Sequence, residues 1–297
     1  MKRPWASLLL MLPALALLAV VFLWPLLQVG LLSGQASSVL TGLEPVANGG
    51  ANWQRLLRDS RFWDDARFTL RFALVSVGLE LILGVAIALL LHRPARGRGL
   101  LRAVTLLPWA LPGTVLALGW RWIYNDPYGP LNALLQALGL PPHGFLTSPA
   151  STWLFVVLAD VWKCTPFVAL LLLAGLQSIP AELEESLRLE GAGRIQILWR
   201  LTLPLLRPWI TLALVFRMAQ ALGVFDLVQV LTRGGPAGST ESLALYAYLQ
   251  AMRFLDFGYS ATVVLATFVL VALLTLLGWL LLRRPAPTPS GTRELAR

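Results

Sequence analysis

The sequence predicts an all-α membrane protein with six transmembrane helices, and both composition and hydrophobic pattern point to that fold class. Hydrophobic residues make up 57% of the chain, charged residues make up only 13%, and the mean hydropathy is +0.70. The charged share is about half of that in ordinary soluble proteins. Six apolar runs each reach the length of about 20 residues that a helix needs to cross a bilayer core. They cover residues 7–32, 68–91, 104–124, 152–175, 208–230 and 259–282.

The chain divides into three parts, with boundaries at the start of the second apolar run and just after the last one. We expect an N-terminal anchor and external loop at 1–67, a core of five transmembrane helices with a loop at 177–207 inside 68–283, and a disordered Pro-rich tail at 284–297. A basic N-terminus is typical of signal peptides, but the apolar run behind it is far longer than their usual core of about 7–15 residues. The first run is therefore predicted to be a retained anchor.

Loop charges predict the orientation of these helices. The N-terminus and the loops at 92–103, 176–207 and 283–297 carry 14 Lys/Arg and 5 Asp/Glu, whereas the loops on the other side carry 6 and 7. Because cytoplasmic loops are enriched in Lys and Arg, both termini are expected in the cytoplasm. The arginines lie between apolar spans and form no clustered basic face, which argues against nucleic-acid binding.

The external loop before the second run contains a segment, residues 52–68, that predicts one short amphipathic helix. Its acids Asp59, Asp64 and Asp65 alternate with arginines. A membrane enzyme would need a paired acid and base or a nucleophile at such a place. Alternation with arginines instead favours a solvated charged face.

The loop at 177–207 predicts two short helices joined at Gly191. Acidic residues occupy its N-terminal half, where the helix dipole favours them. Gly191 can adopt the left-handed conformation that ends a helix, and Pro204 and Pro208 are expected to stop the second helix before the fifth span. From these residues alone, the segment fits either an ordinary amphipathic loop or a surface that binds a partner.

The spacing of this loop is Glu-x5-Gly-x9-Leu-x-Leu-Pro, with a Glu-Gly-Ala-Gly stretch at its centre. The residues concerned are Glu185, Ser186, Leu187, Glu190, Gly191, Ala192, Gly193, Leu201, Leu203 and Pro204. The pattern resembles the EAA loop of binding-protein-dependent ABC importer permeases, which reads Glu-Ala-Ala-x3-Gly-x9-Ile-x-Leu-Pro. Ser186, Leu187 and Leu201 replace the two alanines and the isoleucine, and these departures are mild because small or apolar residues remain.

Three further segments, residues 120–132, 160–180 and 224–259, resemble sugar permeases of the maltose and glycerol-phosphate type. The resemblance covers roughly residues 50–280. It implies the ABC type I importer permease fold in a bacterial or archaeal inner membrane. It also implies import of a carbohydrate, most simply a disaccharide or oligosaccharide, with residues 68–283 as the permease core.

The resemblance implies partners as well. They are a second permease subunit, two ABC ATPase subunits, an extracytoplasmic solute-binding protein and the surrounding lipid. In that family the loop docks on an ATPase, so Glu185 would anchor the docked helix, Gly191 would permit the turn, and Leu203 and Pro204 would fix the exit into the fifth span. The chain contains no Walker A pattern, so ATP and Mg²⁺ are expected on the ATPase and no cofactor or metal on this chain.

Polar residues inside the spans predict the substrate pathway, because uncompensated charges are costly in a membrane and mark functional sites. The predicted set is Arg121, Asp160, Trp162, Lys163, Arg217, Gln220, Phe225, Asp226 and Gln229. Asp160 and Lys163 are three residues apart on one helix. They fit either a structural ion pair or a polar wall of the pathway.

The alternative function from the sequence is an ion-coupled secondary transporter or channel. That class would need ion-coupling carboxylates or inverted repeats, and neither is clear in the sequence. It also gives no reason for the loop at Gly191. The sequence therefore favours the importer.

Overall fold

The computed structural model describes residues 4–94 and 96–282, and these residues are largely helical, as predicted. A two-stranded antiparallel sheet pairs β1 (Gln35–Ala36) with β2 (Val46–Ala47). The α-helices are α1 (Pro4–Leu18), α2 (Trp24–Ser33), α3 (Ala51–Arg58), α4 (Ser60–His92), α5 (Arg98–Ala110), α6 (Gly113–Ile123), α7 (Pro130–Ala137), α8 (Pro149–Gln177), α9 (Ala181–Leu189), α10 (Arg194–Ile197), α11 (Leu203–Leu222), α12 (Asp226–Leu231), α13 (Leu243–Met252) and α14 (Phe257–Leu282). Both the basic N-terminus and the tail at 284–297 lie outside the described residues.

Five helical spans are long and apolar enough to cross a membrane, and α5 with α6 makes a sixth if the bent pair counts as one span. The two helices of that pair meet at 89°. Leu111 is extended, because the ring of Pro112 disfavours the helical conformation in the residue before it. The third run is therefore a broken span instead of one straight helix.

The fifth span differs from its prediction at both ends. It begins at Arg194, because α10 continues through a π-helical turn at 198–202 into α11, and it ends at Leu222. The expectation that Pro204 and Pro208 stop a helix here is wrong. Pro204 occupies the first turn after the wider π turn, where its missing N–H disturbs the hydrogen-bond ladder less.

The long helices α4 and α8 form the centre of the packing. Phe72, Ala73 and Val77 of α4 are buried with Val156 and Val157 of α8 in one apolar cluster, to which α6 and α11 also contribute. Two further buried clusters lie towards the two ends of the helices. The shorter helices outside the spans lie around this centre.

The segment at 52–68 is not one helix, because Asp59 divides it. The Asp59 carboxylate accepts hydrogen bonds from the backbone N–H groups of Arg61 (3.1 Å) and Phe62 (3.4 Å) and so caps the start of α4. Tyr246 and Tyr259 each donate their hydroxyl to the same carboxylate at 2.5 Å. Burial alone would raise the pKa of Asp59, but these hydrogen bonds outweigh it and lower the pKa.

The prediction that Asp59, Asp64 and Asp65 form a solvated charged face is wrong for two of the three. Asp64 is exposed and pairs with Arg67 at 2.7 Å. Asp65 is only 2% exposed, because α4 starts at Ser60 and places that side chain on the packed side of a long helix. The alternation of these acids with arginines in the sequence does not show which face of the helix packs against the rest of the protein.

We predict that Gly84→Ala destabilises the protein whereas Gly78→Ala, in the same helix, does not. A Cβ at Gly84 would lie 2.5 Å from Cγ1 of Val168, but one at Gly78 would meet nothing within 4 Å. Overpacking of this kind costs about 1–3 kcal/mol, while alanine in an open helical position gains up to about 1 kcal/mol. Thermal melting of the purified variants tests this, and equal melting temperatures would contradict the close packing of α4 on α8.

Candidate functional site

A buried charge cluster joins three spans in the middle of the protein. The Arg217 guanidinium of α11 donates to both carboxylate oxygens of Glu80 on α4, from Nε at 2.6 Å and from Nη2 at 2.9 Å. Nη2 also donates to Asp160 of α8 at 3.1 Å, and Nη1 donates to Gln220 at 2.7 Å. Exposed fractions are 3% for Arg217, 0% for Glu80 and 7% for Asp160.

Geometry explains why arginine occupies this position. A guanidinium offers several donors in one plane, so a single side chain can bind both oxygens of one carboxylate and still reach a second acid. Cys164 lies beside the cluster, with its Sγ 3.6 Å from Asp160. Glu80, Asp160 and Cys164 have atoms within 4.8 Å of one another, but the guanidinium already occupies the two carboxylates. These residues therefore do not fit a metal ion.

Of the two interpretations of Asp160 and Lys163, the ion pair does not form, whereas both residues line one cavity. Asp160 bonds to Arg217 instead, since the guanidinium approaches from a neighbouring helix with a better geometry than a lysine on the same helix. Lys163 lies near the break in the bent span, opposite Asp226. A Cβ at Gly113 would be 3.2 Å from Nζ of Lys163 and 3.0 Å from Oδ2 of Asp226, so the absence of a side chain at Gly113 leaves open the space beside both charges.

A cavity of about 430 Å³ lies beside the charge cluster. It opens where α5 and α6 bend apart and where the chain breaks between α11 and α12. Six of the nine residues that the sequence predicted for the substrate pathway line it. They are Asp160, Lys163, Arg217, Gln220, Phe225 and Asp226.

The other three predicted pathway residues lie outside this cavity. Arg121 is exposed on α6 and donates to the carbonyl of Val230 at 3.4 Å. Trp162 is 47% exposed and packs edge-on against Trp120. Gln229 is half-buried on α12.

The predicted pathway set omitted Glu80 of the charge cluster and seven of the 13 residues that line the cavity, Trp109 and Gly113 among them. Trp109 and Gly113 line the cavity from the two sides of the bend. The Leu-Pro-Gly stretch at 111–113 could have indicated the bend, because a proline inside an apolar run breaks or kinks a helix.

In the loop at 177–207, which we call the coupling loop after the role that the resemblance implies for it, the structure places two helices around Gly191. Gly191 has φ +86°, and the backbone N–H groups of Gly191 and Ala192 bond to the carbonyls of Arg188 (3.0 Å) and Leu187 (2.9 Å). This is the left-handed helix ending that the sequence predicted. Glu184 and Arg188, four residues apart on α9, form an ion pair at 2.5 Å.

The coupling loop exposes a set of large apolar side chains that the sequence analysis did not single out. Leu189 is 91% exposed, Ile195 is 73% exposed and Trp199 is 68% exposed. Glu185, the predicted anchor, is exposed as well. Leu189 precedes the fifth span, and Ile195 and Trp199 lie in its first two turns. Exposed large apolar side chains at the end of a span fit a protein-binding surface.

Helical spans around a charged cavity, with such a loop at one end, define the class of membrane transport subunits. Residues 80–286 match the family model of binding-protein-dependent transport system inner membrane components. The chain belongs to this family. It is a multi-pass inner-membrane transport subunit.

The relatives of this chain are permease subunits. It is 44% identical over 228 residues to the trehalose/maltose transport system permease protein of Thermococcus litoralis, which covers 77% of each chain. It is 35% identical over 264 residues to the sulfoquinovosyl glycerol transport system permease protein of Agrobacterium fabrum, covering 89% of this chain and 86% of the relative. Among solved structures, a chain of a bacterial alginate ABC transporter has the same fold, with a TM-score of 0.81, 22% identity and coverage of 95% and 96%.

We predict that Arg217→Gln strongly destabilises the protein, because it leaves Glu80 and Asp160 buried without their cation. Breaking a buried ion pair on one side costs about 3–5 kcal/mol. Adding Glu80→Gln and Asp160→Asn to the same chain should recover much of that loss, since the unpaired charges are gone. Thermal melting gives the comparison, and Arg121→Gln is the exposed-arginine control. A triple variant no more stable than Arg217→Gln would contradict this account.

Proposed function

We propose that this chain forms one half of the transmembrane pore of an ATP-driven importer and that the imported solute is a carbohydrate. A disaccharide or oligosaccharide, delivered by an extracytoplasmic solute-binding protein, is the substrate that its relatives suggest. The Thermococcus litoralis relative is named for trehalose and maltose. The alginate transporter with the same fold was crystallised with a periplasmic protein that holds an alginate pentasaccharide.

The observation that carries the proposal is the exposed apolar surface of the coupling loop. Leu189, Ile195 and Trp199 are not covered by any of the residues that the structure describes. Large apolar side chains of this kind become binding hot spots when a partner excludes water from them. A cytoplasmic ATPase subunit is the partner that we assign to this surface.

The continuous helix from α10 to α11 supports a direct route from the coupling loop to the pore. Arg194–Leu222 passes as one span from beside Gly191 to the charge cluster at Arg217. A helix that is tilted at one end moves at the other, because its backbone hydrogen bonds resist bending. ATP-driven movement of the coupling loop would therefore displace Arg217 relative to α4 and α8 and change access to the cavity.

The remaining parts of the complex follow from the same proposal. A second permease subunit would complete the pore, and two ABC ATPase subunits would bind ATP and Mg²⁺, so this chain would need no cofactor of its own. The surplus of Lys and Arg on one set of loops supports a cytoplasmic location for both termini and the coupling loop.

The cavity chemistry supports a hydroxylated solute. Lys163 donates hydrogen bonds, Asp226 accepts them, and Gln220 can do both. Phe225 offers an aromatic ring, a surface suited to the apolar C–H faces of a sugar. An ion-coupled transporter or channel would leave the exposed surface of the coupling loop without a role.

Purification of the tagged chain from its native membrane tests the proposal. Mass spectrometry should find a second membrane subunit and an ATPase at two copies per complex, and reconstituted vesicles should import maltose or trehalose when the solute-binding protein is present. Recovery of the chain alone, without any ATPase, would contradict the proposal.

We predict that Leu189→Asp and Trp199→Asp abolish binding of the ATPase, because each places a charge on the apolar surface. Truncating such a hot-spot residue costs about 2 kcal/mol or more, a loss of at least roughly thirtyfold in affinity. Co-purification measures the loss. Leu40→Asp is the matched control, since Leu40 is 97% exposed in the loop between β1 and β2. Equal ATPase recovery from all three variants would assign the surface another role.

We predict that Gly191→Ser reduces transport whereas Gly193→Ser does not. A Cβ meets nothing within 4 Å at either position, but only Gly191 has a positive φ. A side chain in that conformation costs about 1–2 kcal/mol, while serine is a good residue at the helix start that Gly193 occupies. Uptake relative to ATP hydrolysis distinguishes the two variants, and equal coupling ratios would argue against a turn fixed by Gly191.

A further inference from the structure

A second and larger cavity lies at the opposite ends of the helices from the coupling loop. Its volume is about 960 Å³, at the upper end of the usual range for small-molecule sites. The first turns of α4, the start of α8 and the loop at 233–241 enclose it. We call it the outer cavity.

The loop that forms one wall of the outer cavity is held firmly in place. The Thr240 hydroxyl donates to the carbonyl of Gly235 at 2.6 Å, and its oxygen lies 2.9 Å from the Thr232 hydroxyl. The N–H of Gly234 bonds to the Thr232 hydroxyl at 3.2 Å. These bonds form within the chain itself, so the wall exists before any ligand arrives.

Three side chains that line the outer cavity contain polar atoms without a partner among the described residues. They are Oδ2 of Asp65, Nε1 of Trp153 and Oγ of Ser239, and all three atoms are shielded from solvent. Buried polar groups are nearly always hydrogen-bonded in native proteins, and a bound molecule is one source of the missing partner. Leaving Asp65 without a hydrogen bond costs more free energy than leaving the other two without one, because it is a carboxyl group that is 98% buried.

The ion pairs around the outer cavity do not satisfy Asp65. Arg61 donates both of its bonds to Glu241, at 2.9 and 2.8 Å, and Arg67 pairs with Asp64 at 2.7 Å. Neither guanidinium forms an ion pair with Asp65 in the described part of the chain. One oxygen of the Asp65 carboxyl group is therefore left without a partner among the described residues, at the wall of the outer cavity.

The three unpartnered atoms together identify the ligand chemistry. Asp65 calls for a hydrogen-bond donor, the Trp153 N–H calls for an acceptor, and Ser239 accepts either. A simple anion would leave the Asp65 oxygen without a donor, and a simple cation would leave the Trp153 N–H without an acceptor. A molecule that carries several hydroxyl groups can serve all three.

We propose that the outer cavity is a second saccharide-binding site, separate from the cavity at Arg217, which holds the sugar before it reaches the middle of the membrane. That the ligand is the transported sugar rests on the proposed function. The site itself rests on the outer cavity and its unpartnered atoms.

Direct binding of sugar to the purified complex tests this proposal. The whole complex in lipid nanodiscs, without the solute-binding protein, is dialysed against radiolabelled maltose and, separately, trehalose. We expect Asp65→Asn to weaken binding at this site about tenfold and Trp153→Phe, which keeps the ring and removes the N–H, about fivefold. Uptake should show a raised KM with kcat changed less than about twofold.

Two matched variants control for general damage. Asp256→Asn alters a carboxyl group at the same end of the protein, and Trp122→Phe alters an exposed indole, but neither residue lines the outer cavity. Both should bind sugar as the unaltered complex does. If Asp65→Asn fails to assemble, Trp153→Phe and Ser239→Ala carry the test.

The outcomes separate this proposal from the proposed function. If the unaltered complex imports neither maltose nor trehalose, the carbohydrate assignment for those sugars fails. If it imports one of them while Trp153→Phe and Asp65→Asn bind sugar normally, the second site alone is overturned. Weaker binding of the solute-binding protein, with sugar binding unchanged, would also overturn it and would assign the outer cavity to protein docking.

Discussion

The interaction on which the rest of the structure depends is the binding of two buried carboxylates by one guanidinium. Glu80, Asp160 and Arg217 come from three different helices, and each would be very costly in a membrane without the others. Their pairing requires α4, α8 and α11 to converge at one depth. The close approach of Gly84 to Val168 lets α4 and α8 meet as that convergence demands.

This convergence also creates the space beside it. The guanidinium fills the centre of the three helices, and the broken spans on either side cannot pack tightly against it. The bend at Pro112 and the break at Gly223 turn the backbone away and leave the central cavity. The charge cluster thus stabilises the fold and borders the pathway, and any movement of α11 acts on both.

Sequence reasoning predicted the elements well where one residue decides the local structure. Gly191 alone permits the left-handed turn of the coupling loop, and the length of each apolar run specifies a span. It failed where contacts with a neighbouring helix determine the environment of a side chain. Lys163 was the only partner that the sequence offered for Asp160, because spacing along a helix can be read from sequence, whereas the approach of Arg217 from α11 cannot. Asp65 was assigned to solvent for the same reason.

The sequence by itself determined the number of hydrophobic runs, the position of the coupling loop and six of the residues that line the cavity at Arg217, because these depend on hydrophobicity and local spacing. Only the tertiary structure decided which charges pair, that Pro204 continues a helix through a π turn, and that Asp65 is buried in the wall of the outer cavity. Those features depend on contacts between residues far apart in the chain. Helix packing determines such contacts, and they cannot be read from the residue pattern along a single helix.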